Sequence, residues 1–146
     1  MERMSPDEVL AFLTAGPRTG KLATVRPDGR PHVTPIWFDV DELDGTAIEI
    51  VFNTAETSVK GRNLLNDPRL SLCVDDDRPP FSYVVIEGEA RMIDDSAELR
   101  AWATRIGGRY MGADRAVEYG ERNGVPGELL VRVHIHHVVA HKGVSD

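Results

Sequence analysis

The stretch Ile50-Val51-Phe52-Asn53-Thr54, leading through Ala55-Glu56 into Thr57-Ser58-Val59-Lys60-Gly61-Arg62-Asn63-Leu64, sets a strand directly against a helix. The branched and aromatic residues fit a buried strand, and Asn53-Thr54 ends it with turn chemistry. Ser58 is placed to cap a helix, which leaves backbone N–H groups of the first turn pointing outward. Lys60 and Arg62 add two positive charges at the same spot. Dipole, donors and charge together suit a phosphate. Surface helices also begin with Ser and carry Lys and Arg for solubility, so the spacing alone leaves both readings open. The chain carries 24 Asp and Glu against 17 Lys and Arg, a formal net charge of -7, so a local basic cluster needs a reason.

Upstream, Ser5-Pro6-Asp7-Glu8 opens a helix with a cap, a first-position proline and a capping-box glutamate. Val9, Phe12 and Leu13 share its apolar face, and Gly16-Pro17 stops it. Lys21 to Val25 is a strand, Pro27-Asp28-Gly29 a turn, and His32 to Val40 a second extended run interrupted by Pro35, which removes a ladder donor. A hairpin over Asp41 to Gly45 leads to a third strand, Ala47 to Asn53. Downstream come strands at Leu70 to Val74, Ser82 to Ile93 and Glu128 to Ala140. Helices are expected from Asp95 or Ser96 to Gly107-Gly108 and from Ala113 to Arg122, with Gly107 to Gly112 between them as a mobile loop carrying Arg109 and Tyr110. Six strands joined mainly by hairpin-type connections indicate a mainly β chain with flanking helices, an antiparallel barrel rather than a doubly wound sheet.

The 146 residues, 41% hydrophobic and 28% charged, fit a single domain over 1–146 with its own core. The acidic balance argues against nucleic acid as a partner. A lone cysteine, Cys73, forms no intrachain disulfide and fits a reducing compartment. No signal-like start and no apolar run of membrane length appear, so a cytoplasmic protein without a membrane partner is expected. His134 and His136 share a strand face but lack further ligands at metal spacing, and no metal site is assigned. Cys73 alternates with Leu72 and Val74 as a packing residue. Around Trp37, Thr34 offers a hydrogen bond to a heterocycle edge, Pro35 frees a backbone face and Trp37 a flat surface. Strand aromatics are usually core, and for Trp37 taken alone core packing is the favoured account, as it is open to Phe38.

The ordered set Gly20-Lys21-Leu22-Ala23-Thr24-Val25, Asp28-Gly29-Arg30-Pro31, Thr34-Pro35-Ile36-Trp37, Ser58-Val59-Lys60-Gly61-Arg62-Asn63-Leu64, Asp67-Pro68-Arg69 and Val85-Ile86-Glu87-Gly88-Glu89-Ala90 resembles the pyridoxamine 5′-phosphate oxidase-like superfamily. More narrowly, it is similar to the actinobacterial reductases of the B type that use the deazaflavin coenzyme F420. The resemblance spans residues 5 to 140. It implies a six-stranded antiparallel split β-barrel that forms a homodimer, with two cofactors in grooves between subunits.

On that resemblance Lys60 contacts the cofactor phosphate, supported by Ser58 and Arg62, and Asn53 and Thr54 line the ribityl chain and ring edge. Thr34, Pro35 and Trp37 lie against the ring, with His32 nearby, and Phe81 and Tyr83 come from the partner subunit. Arg30, Lys21 and Arg26 are extra cations for the acidic tail of F420. The implied activity is transfer of hydride from reduced F420 to a small unsaturated or quinone-like organic substrate, with solvent or Tyr83 as proton source and no catalytic side chain singled out. An FMN-dependent oxidoreductase of the same fold is the alternative, as is a non-enzymatic protein that carries the cofactor or haem. Val125 to Asp146 shows no equivalent of the vitamin B6 oxidases' substrate-phosphate residues.

Overall fold

The computed structural model describes residues 1–45 and 47–146. Among them the chain forms, in order, β1 (Glu2–Arg3), α1 (Pro6–Thr14), β2 (Gly20–Val25), β3 (Pro31–Ile36), β4 (Asp39–Glu42), β5 (Ile48–Ala55), α2 (Val59–Asn66), β6 (Arg69–Asp76), β7 (Ser82–Ile93), α3 (Ser96–Met111), a 3-10 turn (Ala113–Arg115), α4 (Ala116–Asn123) and β8 (Glu128–Lys142). The strands make one antiparallel sheet in the order β3-β2-β6-β7-β8-β5-β4, with β1 added to β8. β3 and β4 are consecutive in the chain yet lie at opposite ends of this path, and no ladder joins them. The sheet therefore curls into a barrel that stays split at that seam.

Among the described residues, eight strands replace the six expected. The run His32 to Val40 is cut at Trp37-Phe38, where the chain crosses the seam from one sheet end to the other. Phe38 turns inward and is fully buried, while Trp37 turns toward α3 and α4. β1 is only two residues long, too short to leave a periodic signal.

Alternation decides what faces inward. Leu22, Phe38, Ile50, Phe52, Leu72, Val74, Val84 and Ile86 fill the barrel, and α1 closes one end with Val9 and Leu13. The capping box on α1 is formed as expected: Ser5 Oγ accepts from the Glu8 amide and Glu8 returns a bond to the Ser5 amide. A second cluster of Val51, Leu99, Trp102 and Leu130 packs α3 on the outer face of β5 and β8. Beneath α3, Arg132 bridges Asp41 at 2.7 Å, Glu49 at 3.1 Å and Glu98 at 2.7 Å.

Gly107 and Gly108 do not end α3, and the mobile loop expected over Gly107 to Gly112 is instead helical as far as Met111. A Cβ on Gly107 would stand 2.4 Å from Tyr119 Cβ, so glycine is needed there for α4 to approach rather than to stop the helix. Gly88 marks a bulge for a similar reason. Its Cβ would meet the His134 carbonyl oxygen at 2.3 Å, and the β7–β8 register slips between Glu87 and Gly88, leaving His136 as the extra residue.

Candidate functional site

The end of β5 and the first turn of α2 are tied by one hydroxyl. Ser58 Oγ accepts from the Gly61 amide at 3.0 Å, donates to the Ala55 carbonyl at 2.7 Å and lies 3.0 Å from Thr54 Oγ1. The Ser58 carbonyl takes the Arg62 amide, so the N–H groups of Val59 and Lys60 are left as the open donors of the turn. Lys60 is half-buried and Arg62 exposed, and among the described residues neither forms an ion pair. Two cations without an ion pair and two free amides thus stand together.

Asn63 links this turn to the barrel. Its side chain is buried and donates to Thr24 Oγ1 at 3.0 Å. Thr24 pairs in register with His32 and Leu22 with Thr34, and cross-strand partners share a face. His32 and Thr34 therefore project on the inner side of the sheet, toward the region that α2 covers. His32 Nδ1 is buried and, among the described residues, has no hydrogen-bond partner. An orphaned buried nitrogen costs about 1–3 kcal/mol unless a ligand or water completes it. Pro35 pairs with Lys21 and faces the opposite way. Buried Thr24, Thr54 and Asn63, together with His32, Thr34, Ser58 and Lys60, form the group that the fold assembles around α2.

Other expected residues sit elsewhere. Asn53 neighbours Thr54 on β5 and so faces the outer side. Its amide is engaged by Glu128 Oε1 at 2.8 Å and the Asn123 carbonyl at 3.4 Å. Trp37 lies flat on Tyr110, ring centroids 5.1 Å apart and 2° from parallel, with Tyr119 at 5.8 Å. One face of its ring is therefore occupied by the protein itself. Phe81 is exposed at φ +63°, a conformation rare outside glycine, and Tyr83 bonds His141 Nδ1 at 3.1 Å. Both stand at the far end of β6 from its junction with α2, eight residues or roughly 23 Å along the strand. The fold does not bring them to α2 within one chain.

Arg109 and Tyr110 are structural in this fold. Arg109 donates to the carbonyls of Leu13, Gly16 and Phe38, fastening α1 and the seam to α3. Tyr110 donates to the Arg18 carbonyl and accepts from the Phe38 amide. Glu128, Asn63 and Thr24 are the residues that sequence reasoning assigned no role. Burial raises the Glu128 carboxyl above its ordinary value, while the Asn53 bond and the charge of Lys60 pull it down. A carboxylate thus stands within electrostatic reach of Lys60.

The split barrel, with a cap-and-cation turn between its fifth and sixth strands, defines a class of small cofactor-binding folds. The profile of the pyridoxamine 5′-phosphate oxidase family matches residues 5–142, and the chain belongs to that family. It is 33% identical over 132 residues to a 5a,11a-dehydrotetracycline/5a,11a-dehydrooxytetracycline reductase of Streptomyces rimosus, an alignment covering 85% of this chain and 87% of that protein. Among solved structures it is similar to a conserved hypothetical protein of Mycobacterium tuberculosis (TM-score 0.80, 29% identity, 97% of this chain and 87% of the other). It is also similar to an F420 reductase (TM-score 0.66, 26% identity, 88% and 94%). A haem storage protein of Vibrio cholerae shares the fold at 20% identity (TM-score 0.71, 99% and 100%).

Proposed function

We propose that this protein is an oxidoreductase that binds reduced coenzyme F420 at α2 and passes hydride to a small unsaturated or quinone-like organic substrate. The observation that carries this reading is the α2 turn: free Val59 and Lys60 amides, unpaired Lys60 and Arg62, and the orphaned His32 Nδ1 on the neighbouring strand. The names of the Streptomyces reductase and of the F420 reductase support the activity and the cofactor. FMN is the alternative occupant, since a phosphate on a ribityl chain is common to both.

These residues fit a flavin-type phosphate. Lys60 and Arg62 would neutralise it, the two amides would fix its oxygens, and Ser58 would hold the turn in shape from below. Thr34 and His32 would address polar edges of the ring system, with His32 Nδ1 gaining the partner it lacks. The bound cofactor supplies the hydride chemistry, and the protein supplies binding, orientation and exclusion of water.

A homodimer completes the reading. α3 covers the outer face over β5, whereas Val33, Ala23, Ser71, Cys73 and Val85 form a strip of small, mostly apolar and at least partly exposed residues across β3, β2, β6 and β7. Two such faces suit each other. A second copy would also bring Phe81 and Tyr83 to a groove that one chain leaves without them.

The test is a parallel titration of the protein with F420 and FMN, repeated for Lys60→Ala. F420 should bind more tightly, and Lys60→Ala should weaken it about 10- to 100-fold, the worth of one charge-assisted hydrogen bond. Preference for FMN would select the alternative, and binding of neither would end the proposal. Binding indifferent to Lys60→Ala would remove the phosphate from α2.

A further inference from the structure

β8 is paired on both edges only in part. β5 accompanies it from Glu128 to Val133, and β1 begins at His141. Among the described residues, the edge of His134–Val139 facing away from β7 therefore has no strand partner. Alternate residues direct N–H and C=O groups to a given edge, so this segment presents unpaired donors and acceptors. A cleft of about 630 Å³ opens beside it, walled by Met4 and Val9 from the α1 side, Leu43 and Ile48 from the β4–β5 hairpin, and Val138 and Val139 from β8. That volume lies within the range of small-molecule sites.

The charge at this cleft runs against the rest of the chain. Arg3, His134, His137 and His141 line it, and among the described residues Arg3 forms no ion pair. Its single carboxylate, Glu49, is already paired with Arg132 and Arg91. In a protein of net charge -7, an apolar cleft edged by the unpaired Arg3 guanidinium, with imidazole nitrogens beside it for hydrogen bonding, favours a negative group on an apolar body.

We propose that this cleft is a binding site for an apolar organic anion, a two- or three-ring carboxylic or sulfonic acid whose body fills the walls and whose acid group meets Arg3 and the open edge of β8. The cleft lies along the His134–His141 half of β8, whereas α2 packs on β2 and β5, so this site stands apart from the cofactor assignment. An extended peptide adding to the open strand edge is the other occupant such geometry admits. The compact apolar walls favour the small molecule.

Two fluorescent probes differing in one group decide it: 8-anilinonaphthalene-1-sulfonate and its neutral analogue N-phenyl-1-naphthylamine, titrated into the native full chain. The sulfonate should saturate one site and bind more tightly than the amine. Arg3→Ala should weaken the sulfonate about fivefold, as expected for one partly exposed charge contact, and leave the amine unchanged. Val138→Asp should weaken both while F420 and FMN titrations stay at wild-type values. No saturable signal, equal affinity for the two probes, or indifference of the sulfonate to Arg3→Ala would each overturn the proposal.

Discussion

Gly61→Ala sets two effects against each other, and the structure says which wins. Alanine in place of glycine inside a helix gains about 1 kcal/mol of propensity. Gly61, however, sits where the first turn of α2 crosses the end of β5, and an added Cβ would lie 2.3 Å from the Ala55 carbonyl oxygen and 3.0 Å from Ser58 Oγ. Backbone cannot swing aside as a side chain can. Relief to an ordinary contact requires α2 to retreat by about 1 Å, an overpacking cost of about 1–3 kcal/mol. The same retreat lengthens the Gly61 amide bond to Ser58 Oγ, now 3.0 Å, and a lost cap costs about 1 kcal/mol more. The balance is a net loss of about 1–3 kcal/mol, or a fall of roughly 3–9 °C in Tm for a chain of this size. Thermal unfolding followed by circular dichroism measures it, and F420 titration of the folded variant should show weakened binding because the free amides have moved. A variant as stable as the wild type, or more so, would mean that propensity decides and that the close approach of α2 to β5 is not real.

Removing Arg109 should cost more than removing an exposed arginine: Arg109→Ala leaves the carbonyls of Leu13, Gly16 and Phe38 without their donor, a loss of about 2–4 kcal/mol by urea unfolding, and Arg109→Lys should recover only part because an ammonium cannot fork. Glu128→Gln keeps the acceptor for Asn53 but removes the charge near Lys60, so anion affinity at α2 should rise at neutral pH and the difference should vanish in acid. The sign for stability is the same. A carboxyl raised by burial contributes stability fully present below its unfolded pKa and lost as pH rises through the folded one, so the variant should gain on the wild type above that window and match it below, read by urea unfolding at acidic and neutral pH. Ala23→Glu puts a charge in the middle of the bare sheet face between Val33 and Ser71, and light scattering should find monomers where the wild type gives dimers; a wild type that is already monomeric would remove the shared groove.

Much of the fold was legible because its signals are local. The Ser5 box, the Ser58 cap, the Asp95 cap and the alternation of Ser82 to Ile93 each declare an element without reference to the rest of the chain. The misreadings fall where a distant contact decides. Gly107 looks like a helix stop from its neighbours alone, and only the approach of Tyr119 shows why the helix continues through it. The break at Trp37-Phe38 depends on the sheet closing on itself, which no window of sequence contains. At the site, the spacing of Ser58, Lys60 and Arg62 was readable from the helix start. That Asn53 and Thr54 face opposite sides follows from strand alternation, but the partners that engage Asn53 lie 70 and 75 residues away.

The placement of cations sharpens the site beyond what motif spacing gives. Most arginines and lysines of this acidic chain are neutralised internally: Arg132 among three carboxylates, Arg105 and Arg109 on Asp39, Arg18 and Arg78 on Asp76, Lys142 on Glu8. Arg100 and Arg122 lack a carboxylate, yet the first donates to the Gly124 carbonyl and the second lies over the Tyr119 ring. Lys21 and Arg30, both candidates for an acidic cofactor tail, turn out to be paired with Asp75 and Asp28. Among the described residues this leaves Lys60 and Arg62 at α2, Arg26 at the β2–β3 turn and Arg3 at the cleft without such partners. An uncompensated surface cation gains little for folding, and in a chain of net charge -7 carboxylates are abundant enough to pair every one of them. Under the proposed function, anions that arrive from outside take these places. On the cofactor reading, Lys60 and Arg62 take the phosphate that F420 and FMN share, and Arg26 is the cation left to meet the acidic tail that only F420 carries.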